Sequence, residues 1–182
     1  MEFKIDKSWT LFLDRDGVIN ERIFGGYVNS TEEFIFLDKV PEAIRVFRTI
    51  FARIIVVTNQ QGVAKGIVSK CSLQLVHKYM QEQLMEIGTH VDAIYFAPEF
   101  ADDINNTRKP KPDMALEAKI DFPEIDFSKS IMVGDTDSDI RFGKNLGMKT
   151  ARIVTKEPIG VVADMNFISL QEMAIELTKE KN

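Results

Sequence analysis

Two short apolar runs that each stop abruptly in a polar cluster constrain the fold of this chain more than any other feature. Trp9 to Leu13 ends at Asp14-Arg15-Asp16-Gly17, and the β-branched run Ile54-Ile55-Val56-Val57 ends at Thr58-Asn59-Gln60-Gln61-Gly62. A strand covered on both faces is apolar throughout, so each run reads as a buried parallel strand delivering polar residues to one sheet edge. Ala93 to Phe96, Ile131-Met132-Val133 and Thr150 to Val154 supply three further strands. Between them, Ala43, Ile44, Val46, Phe47 and Ile50 follow helical spacing behind Pro41 and Glu42, which suit a first helical turn. Leu73, Val76, Met80, Leu84 and Ile87 mark a longer amphipathic helix, with Ser72 as its expected cap and Gly88 as its stop. The alternation predicts an α/β fold with a mainly parallel central sheet, whose ligands sit beyond the carboxyl ends of the strands. Asn29 to Glu33, Glu99 to Lys111 and Glu157 to Asn166 read as loops.

A length of 182 residues fits one compact domain, 1–182, and no linker, repeat or charge block divides it. The net charge of -5 provides no general attraction for nucleic acid or anionic lipid, so neither is an expected partner. Cys71 is the single cysteine, which excludes an intramolecular disulfide and a thiolate zinc site built by this chain alone. The opening Met1-Glu2-Phe3-Lys4-Ile5-Asp6-Lys7 alternates charged and apolar residues, and no apolar run reaches membrane-spanning length. A cytoplasmic location is the expectation.

The polar clusters carry the chemistry. Asp14 and Asp16 are separated by one residue at a strand end, where a period of two turns both to one side and leaves Arg15 pointing elsewhere. Two carboxylates kept beside a phosphate dianion require a cation, and oxygen-only ligands suit magnesium. An isolated Asp-x-Asp-Gly equally fits a capped turn. Thr58 and Asn59 offer uncharged donors for phosphate oxygens, and Arg108-Lys109-Pro110-Lys111 gathers three cations that can balance a phosphoryl group or form a solvated basic turn. Gly62-Val63-Ala64-Lys65-Gly66 lacks the spacing of a nucleotide-binding P-loop. Asp135-Thr136-Asp137-Ser138-Asp139 begins like a calcium loop, but Ile140 and Leu146 stand where that loop needs Gly and Glu. Asp135 therefore fits a single metal ligand, and Asp139 fits a residue that orients its neighbours. His77 and His90 lack a flanking chemical motif and are expected to have structural or surface roles.

In order, Leu13-Asp14-Arg15-Asp16-Gly17-Val18, Val57-Thr58-Asn59-Gln60, Arg108-Lys109-Pro110 and Gly134-Asp135 resemble the haloacid dehalogenase superfamily of phosphohydrolases. Gly26-Tyr27-Val28 and the stretch from Thr58 to Gly66 resemble its heptose-bisphosphate and histidinol-phosphate phosphatase branch. The resemblance implies a three-layer Rossmann-like fold. It implies Asp14 as nucleophile, Asp16 as acid and base, and Thr58 and Lys109 on phosphoryl oxygens. Magnesium would lie on Asp14, Asp135 and the carbonyl of Asp16, with Arg108, Asn59, Gln60 and Gln61 toward substrate.

Only 44 positions separate Asp14 from Thr58 and 51 separate Thr58 from Lys109, so an essentially capless domain is expected. Loops near Phe24 to Tyr27 and Pro98 to Thr107 are then placed to select substrate. Many relatives carry a Cys/His zinc loop before Arg-Lys-Pro, but Ala97 to Thr107 contains neither residue, so no structural zinc is expected. The expected activity is magnesium-dependent hydrolysis of a small phosphorylated metabolite through an aspartyl phosphate, with D-glycero-D-manno-heptose 1,7-bisphosphate as the leading substrate. Histidinol phosphate, a non-catalytic phosphate-binding role and a nucleic-acid 3′-phosphatase are the alternatives, the last disfavoured by the acidic charge.

Overall fold

The computed structural model describes residues 4–179; residues 1–3 of the opening segment lie outside the described residues. Six strands form one sheet: β1 (Thr10–Leu13), β2 (Arg53–Asn59), β3 (Ala93–Ala97), β4 (Ser130–Gly134), β5 (Lys149–Ile153) and β6 (Met165–Phe167). Their order is β3-β2-β1-β4-β5-β6, and every pairing is parallel. The chain steps outward from β1 to β3 and then returns to β4 on the far side of β1. That reversal opens a crevice between the carboxyl ends of β1 and β4, where a doubly wound sheet places its ligand.

Helices α1 (Val40–Ile50), α2 (Lys70–Glu86), α3 (Asp113–Asp121), α4 (Asp137–Asn145) and α5 (Leu170–Lys179) cover the two faces. Strand alternation decides which face each residue feeds. Leu11, Leu13, Ile54 and Val56 join Phe47 of α1, Met80 of α2 and Met173 of α5 in one core, whereas Phe12, Ile55, Val57 and Met132 meet Met114 of α3 and Phe142 of α4 in the other. The result is the expected three-layer α/β arrangement. The connection 14–39 from β1 to α1 adds turns and isolated bridges at Asp16, Asn20 and Phe36, but no helix or further sheet among the described residues. The cleft above the strand ends is therefore open.

Two local expectations are corrected. The cap of α2 is Ser69, whose Oγ accepts the Ser72 backbone N–H at 2.9 Å, so Ser72 lies inside the helix. The segment Glu157 to Asn166 is not all loop, because Met165 and Asn166 enter β6. This edge strand is held by Asp164, which accepts bonds from the Thr150 N–H and hydroxyl at 2.7 and 2.8 Å. No helix is long and apolar enough to cross a membrane among the described residues.

Candidate active site

The carboxyl ends of β1, β2 and β4 deliver Asp14, Thr58 and Asp135 to the crevice, and the connection from β3 to α3 brings Arg108 and Lys109. Asp14 extends the β1 ladder by one bond, its N–H donating to Val133 O at 2.9 Å, after which the N–H groups of Val18, Ile19 and Asn20 all turn back to the Arg15 carbonyl. Gly17 permits this reversal with φ at 89°, and a Cβ there would lie 2.5 Å from Asp135 Oδ2. At the end of β4, a Cβ on Gly134 would stand 2.0 Å from the Cβ of Asp139. Glycine thus lets the start of α4 close onto the strand. Asp139 is buried there, its Oδ2 accepting from Thr136 N and Oγ1 at 3.0 and 2.6 Å.

Lys109 sits at the centre. Its Nζ lies 2.8 Å from Asp14 Oδ1 and 2.6 Å from Asp139 Oδ1, and it donates to Val57 O at 2.7 Å. Burial opposes its charge, but Asp139 and Asp14 outweigh burial and keep the ammonium protonated. Burial pushes the Asp14 carboxyl up to about 6, against the pull of Lys109 and with a further upward push from Asp139. Asp135 is pushed up to about 7 by burial and then by the Asp14 charge, with Arg22 acting against both. Buried like charges at this separation call for a counter-ion.

The surroundings of Asp16 correct one expectation. Arg15 does not point away: its NH2 lies 2.9 Å from both Asp16 carboxylate oxygens. The pairing of β1 stops at Leu13 and the backbone turns, so a period of two does not run through the motif. The fully buried Arg15 passes beneath the site, and its NH1 donates to His77 Nε2 at 3.0 Å. Burial, then the Arg15 charge, hold His77 near pKa 3, so its ring is neutral and accepts at Nε2. Burial alone would raise Asp16, but Arg15, Asn20 and Gln60 together hold its carboxyl below the usual range.

The other candidates divide by position. Asn59 grips the Lys109 backbone, accepting from its N–H at 2.9 Å and donating to its carbonyl at 3.2 Å, and also lines the cleft. Gln60 is buried beneath, its Nε2 donating to Asp16 Oδ2 at 2.8 Å and to Thr58 Oγ1 at 2.9 Å. Thr58, Gln61 and Arg108 line the cleft, whose volume is about 480 Å³. Arg108 donates to the Glu99 carbonyl at 3.3 Å. In the loop from Phe24 to Tyr27 expected to select substrate, Tyr27 lines the cleft, while Phe24 is 71% exposed and Ile23 takes the nearer place.

Arg22 and Glu157 also line the cleft and were not singled out by sequence reasoning. They meet across 135 positions of chain, and neither neighbourhood, Glu21-Arg22 nor Lys156-Glu157, carries a pattern to mark it. The loop from Glu99 to Thr107 is tied to itself and to Lys111. Lys111 Nζ donates to the carbonyls of Ile104 and Asn106 at 3.0 and 2.9 Å, and Thr107 Oγ1 donates to Glu99 at 3.1 Å.

A metal fits these donors. Asp14, Asp135 and Asp139 each present a carboxylate oxygen within 4.8 Å of the others. Asp139 is committed to Lys109 and to the start of α4, whereas Asp135 Oδ1 is buried without a hydrogen-bond partner. An orphaned buried carboxylate oxygen beside Asp14 is the donor that a hard divalent cation satisfies. The Asp16 carboxyl is not part of this cluster.

Comparison with known proteins agrees with this geometry. Residues 11–156 match the family described as polynucleotide kinase 3 phosphatase. A D-glycero-alpha-D-manno-heptose-1,7-bisphosphate 7-phosphatase of Mycobacterium tuberculosis is 34% identical over 172 residues, 92% of this chain and 90% of that protein. A D-glycero-D-manno-heptose-1,7-bisphosphate 7-phosphatase of Chlorobaculum tepidum is 38% identical over 83% of this chain and 81% of its own length. Among solved structures, a D,D-heptose 1,7-bisphosphate phosphatase from B. bronchiseptica complexed with magnesium and phosphate superposes with a TM-score of 0.82. It shares 27% identity and covers 94% of this chain and 99% of its own.

Proposed function

This chain belongs to the polynucleotide kinase 3 phosphatase family, in the heptose-bisphosphate branch of the haloacid dehalogenase phosphohydrolases, and from that premise we propose a magnesium-dependent phosphomonoesterase. Its substrate is a small phosphorylated metabolite, D-glycero-D-manno-heptose 1,7-bisphosphate, cleaved at the 7-phosphate. The observation that carries the reading is Lys109 buried between Asp14 and Asp139, beside the unpartnered oxygen of Asp135. A strand-end carboxylate is thereby held rigidly, with a cation on one side and an open ligand position on the other.

Asp14 and Asp135, with the Asp16 backbone carbonyl, would hold magnesium, which when bound supplies positive charge against phosphoryl oxygens and keeps Asp14 ionised. Lys109 and the Thr58 hydroxyl face the remaining oxygens. Asp14 attacks phosphorus as the bond to the leaving oxygen breaks, and Asp16 donates the proton which that oxygen takes up. Asp16 then accepts a proton from water as the water oxygen attacks phosphorus, releasing inorganic phosphate and restoring Asp14. Arg15, Asn20 and Gln60 favour ionised Asp16, so the water-activating half of this cycle is the better matched at neutral pH. Arg108, Asn59 and Gln61 contact substrate from the cleft walls, and Gln60 acts through Asp16 and Thr58.

The bonds that tie loop 99–107 to itself and to Lys111 support a fold that needs no structural zinc. The single exposed, free cysteine, Cys71, suits a reducing compartment such as the cytoplasm. Phosphate release with magnesium, measured on heptose 1,7-bisphosphate, histidinol phosphate and a panel of phosphate esters, tests the assignment. Asp14→Asn is expected to lose turnover by at least about 10³-fold while keeping its fold. Preference for histidinol phosphate would move the substrate assignment, and a folded wild type inactive on the whole panel would leave a binding protein.

A further inference from the structure

Arg22 brings a second positive charge to the candidate metal carboxylates. Its NH1 lies 3.0 Å from Asp135 Oδ2 and 2.9 Å from Glu157 Oε1, and its side chain is 30% exposed against 1% for Asp135. One Asp135 oxygen is therefore covered by an arginine and the other, Oδ1, is buried without a hydrogen-bond partner. Lys109, the other cation at the cluster, is buried and committed to Asp14 and Asp139. Arg22 lies instead on the long connection after β1, with a second acid already in contact at the cleft mouth.

We propose that Arg22 is a tethered counter-ion that neutralises Asp135 in the metal-free protein and competes with the divalent cation for that carboxylate. Glu157 holds the displaced guanidinium at the mouth. The proposal rests on the magnesium reading above and assigns a residue which that reading does not use. Guanidinium does not lose its proton in proteins, so Arg22 can relinquish Asp135 only by moving. Two cations drawn to one carboxylate repel each other, and each weakens the binding of the other. A competitor built into the chain sets the metal affinity below that of an unopposed site.

Calorimetric titration of magnesium chloride alone into chelator-treated full-length protein tests this without substrate. Arg22→Gln is expected to bind magnesium more tightly by on the order of tenfold, equivalent to about 1.4 kcal/mol. Glu157→Gln, which leaves Arg22 with Asp135 alone, is expected to bind more weakly, and to lose most of that effect in the Arg22→Gln background. Arg108→Gln removes an equal charge from a group that donates to the Glu99 carbonyl, and is expected to change the affinity little. Thermal melting of each variant verifies its fold. Equal or weaker binding by Arg22→Gln, or equal tightening by Arg108→Gln, overturns the counter-ion role while wild-type binding keeps the magnesium reading intact. A wild type that binds no magnesium overturns both.

Discussion

Asp135 is a buried acid whose ionisation the metal-free fold opposes, and this gives it a measurable signature. Its carboxyl stands near 7 in the fold against an ordinary 3.8. Below 3.8 it is protonated in folded and unfolded chains alike and costs nothing. As pH rises through the folded value it becomes charged in both states, and stability is lost. With metal removed, Asp135→Asn is therefore expected to be more stable than wild type at pH 8 by on the order of a few kcal/mol, the advantage fading by about pH 4. Denaturant titrations at the two pH values measure it, and an advantage that grew toward acid pH would contradict the burial argument. Asp16 is the opposite case, an acid held ionised by donors. Replacing Gln60 with Met removes one donor, so the kinetic pKa assigned to Asp16 should move to higher pH. A pH–rate profile that stayed in place would show that Asp16 does not govern it.

The junction between β4 and α4 shows why element geometry matters to chemistry. The approach of Asp139 to Gly134 leaves no room for a methyl group, and Asp139 in turn fixes Lys109. Gly134→Ala is expected to lose about 1–3 kcal/mol of stability, a usual cost of overpacking, and to lose turnover with it. Unchanged melting and phosphate release together would rule this packing argument out. Much of this arrangement was legible in the sequence, because buried parallel strands are unbroken apolar runs and their carboxyl ends stop at polar residues. Asp14, Thr58 and Asp135 announce themselves that way. Met165–Phe167 does not, being three residues at a sheet edge with only one buried. The first turn of α2 was missed because Lys70 and Cys71 are exposed and carry no apolar period. The bond from Arg15 to Asp16 was missed because strand periodicity was carried past the last paired residue. Arg22 and Glu157 were invisible because their meaning lies in a contact between distant loops.

For the molecule as a whole, charge separates small substrates from polymers. The family is described as polynucleotide kinase 3 phosphatase, yet this chain has a net charge of -5, and of the cations at its cleft Arg22 and Lys109 are already paired with acids. Binding a nucleic acid backbone draws on many lysine and arginine contacts and weakens steeply with salt. A 3′-phosphorylated oligonucleotide is expected to release no measurable phosphate under conditions where a sugar bisphosphate is turned over. Oligonucleotide turnover that fell steeply with added salt would contradict that expectation. The sheet also places the chemistry at one rim, on strand ends drawn from separate stretches of chain, while the walls of the cleft belong to the connections.

The stretch from Glu99 to Thr107 is fastened by bonds within itself and by its neighbour Lys111. In evolutionary terms such a segment is a cassette: a lineage can exchange it up to the Arg108-Lys109 step, keeping a working phosphate-cleaving rim while its choice of metabolite drifts.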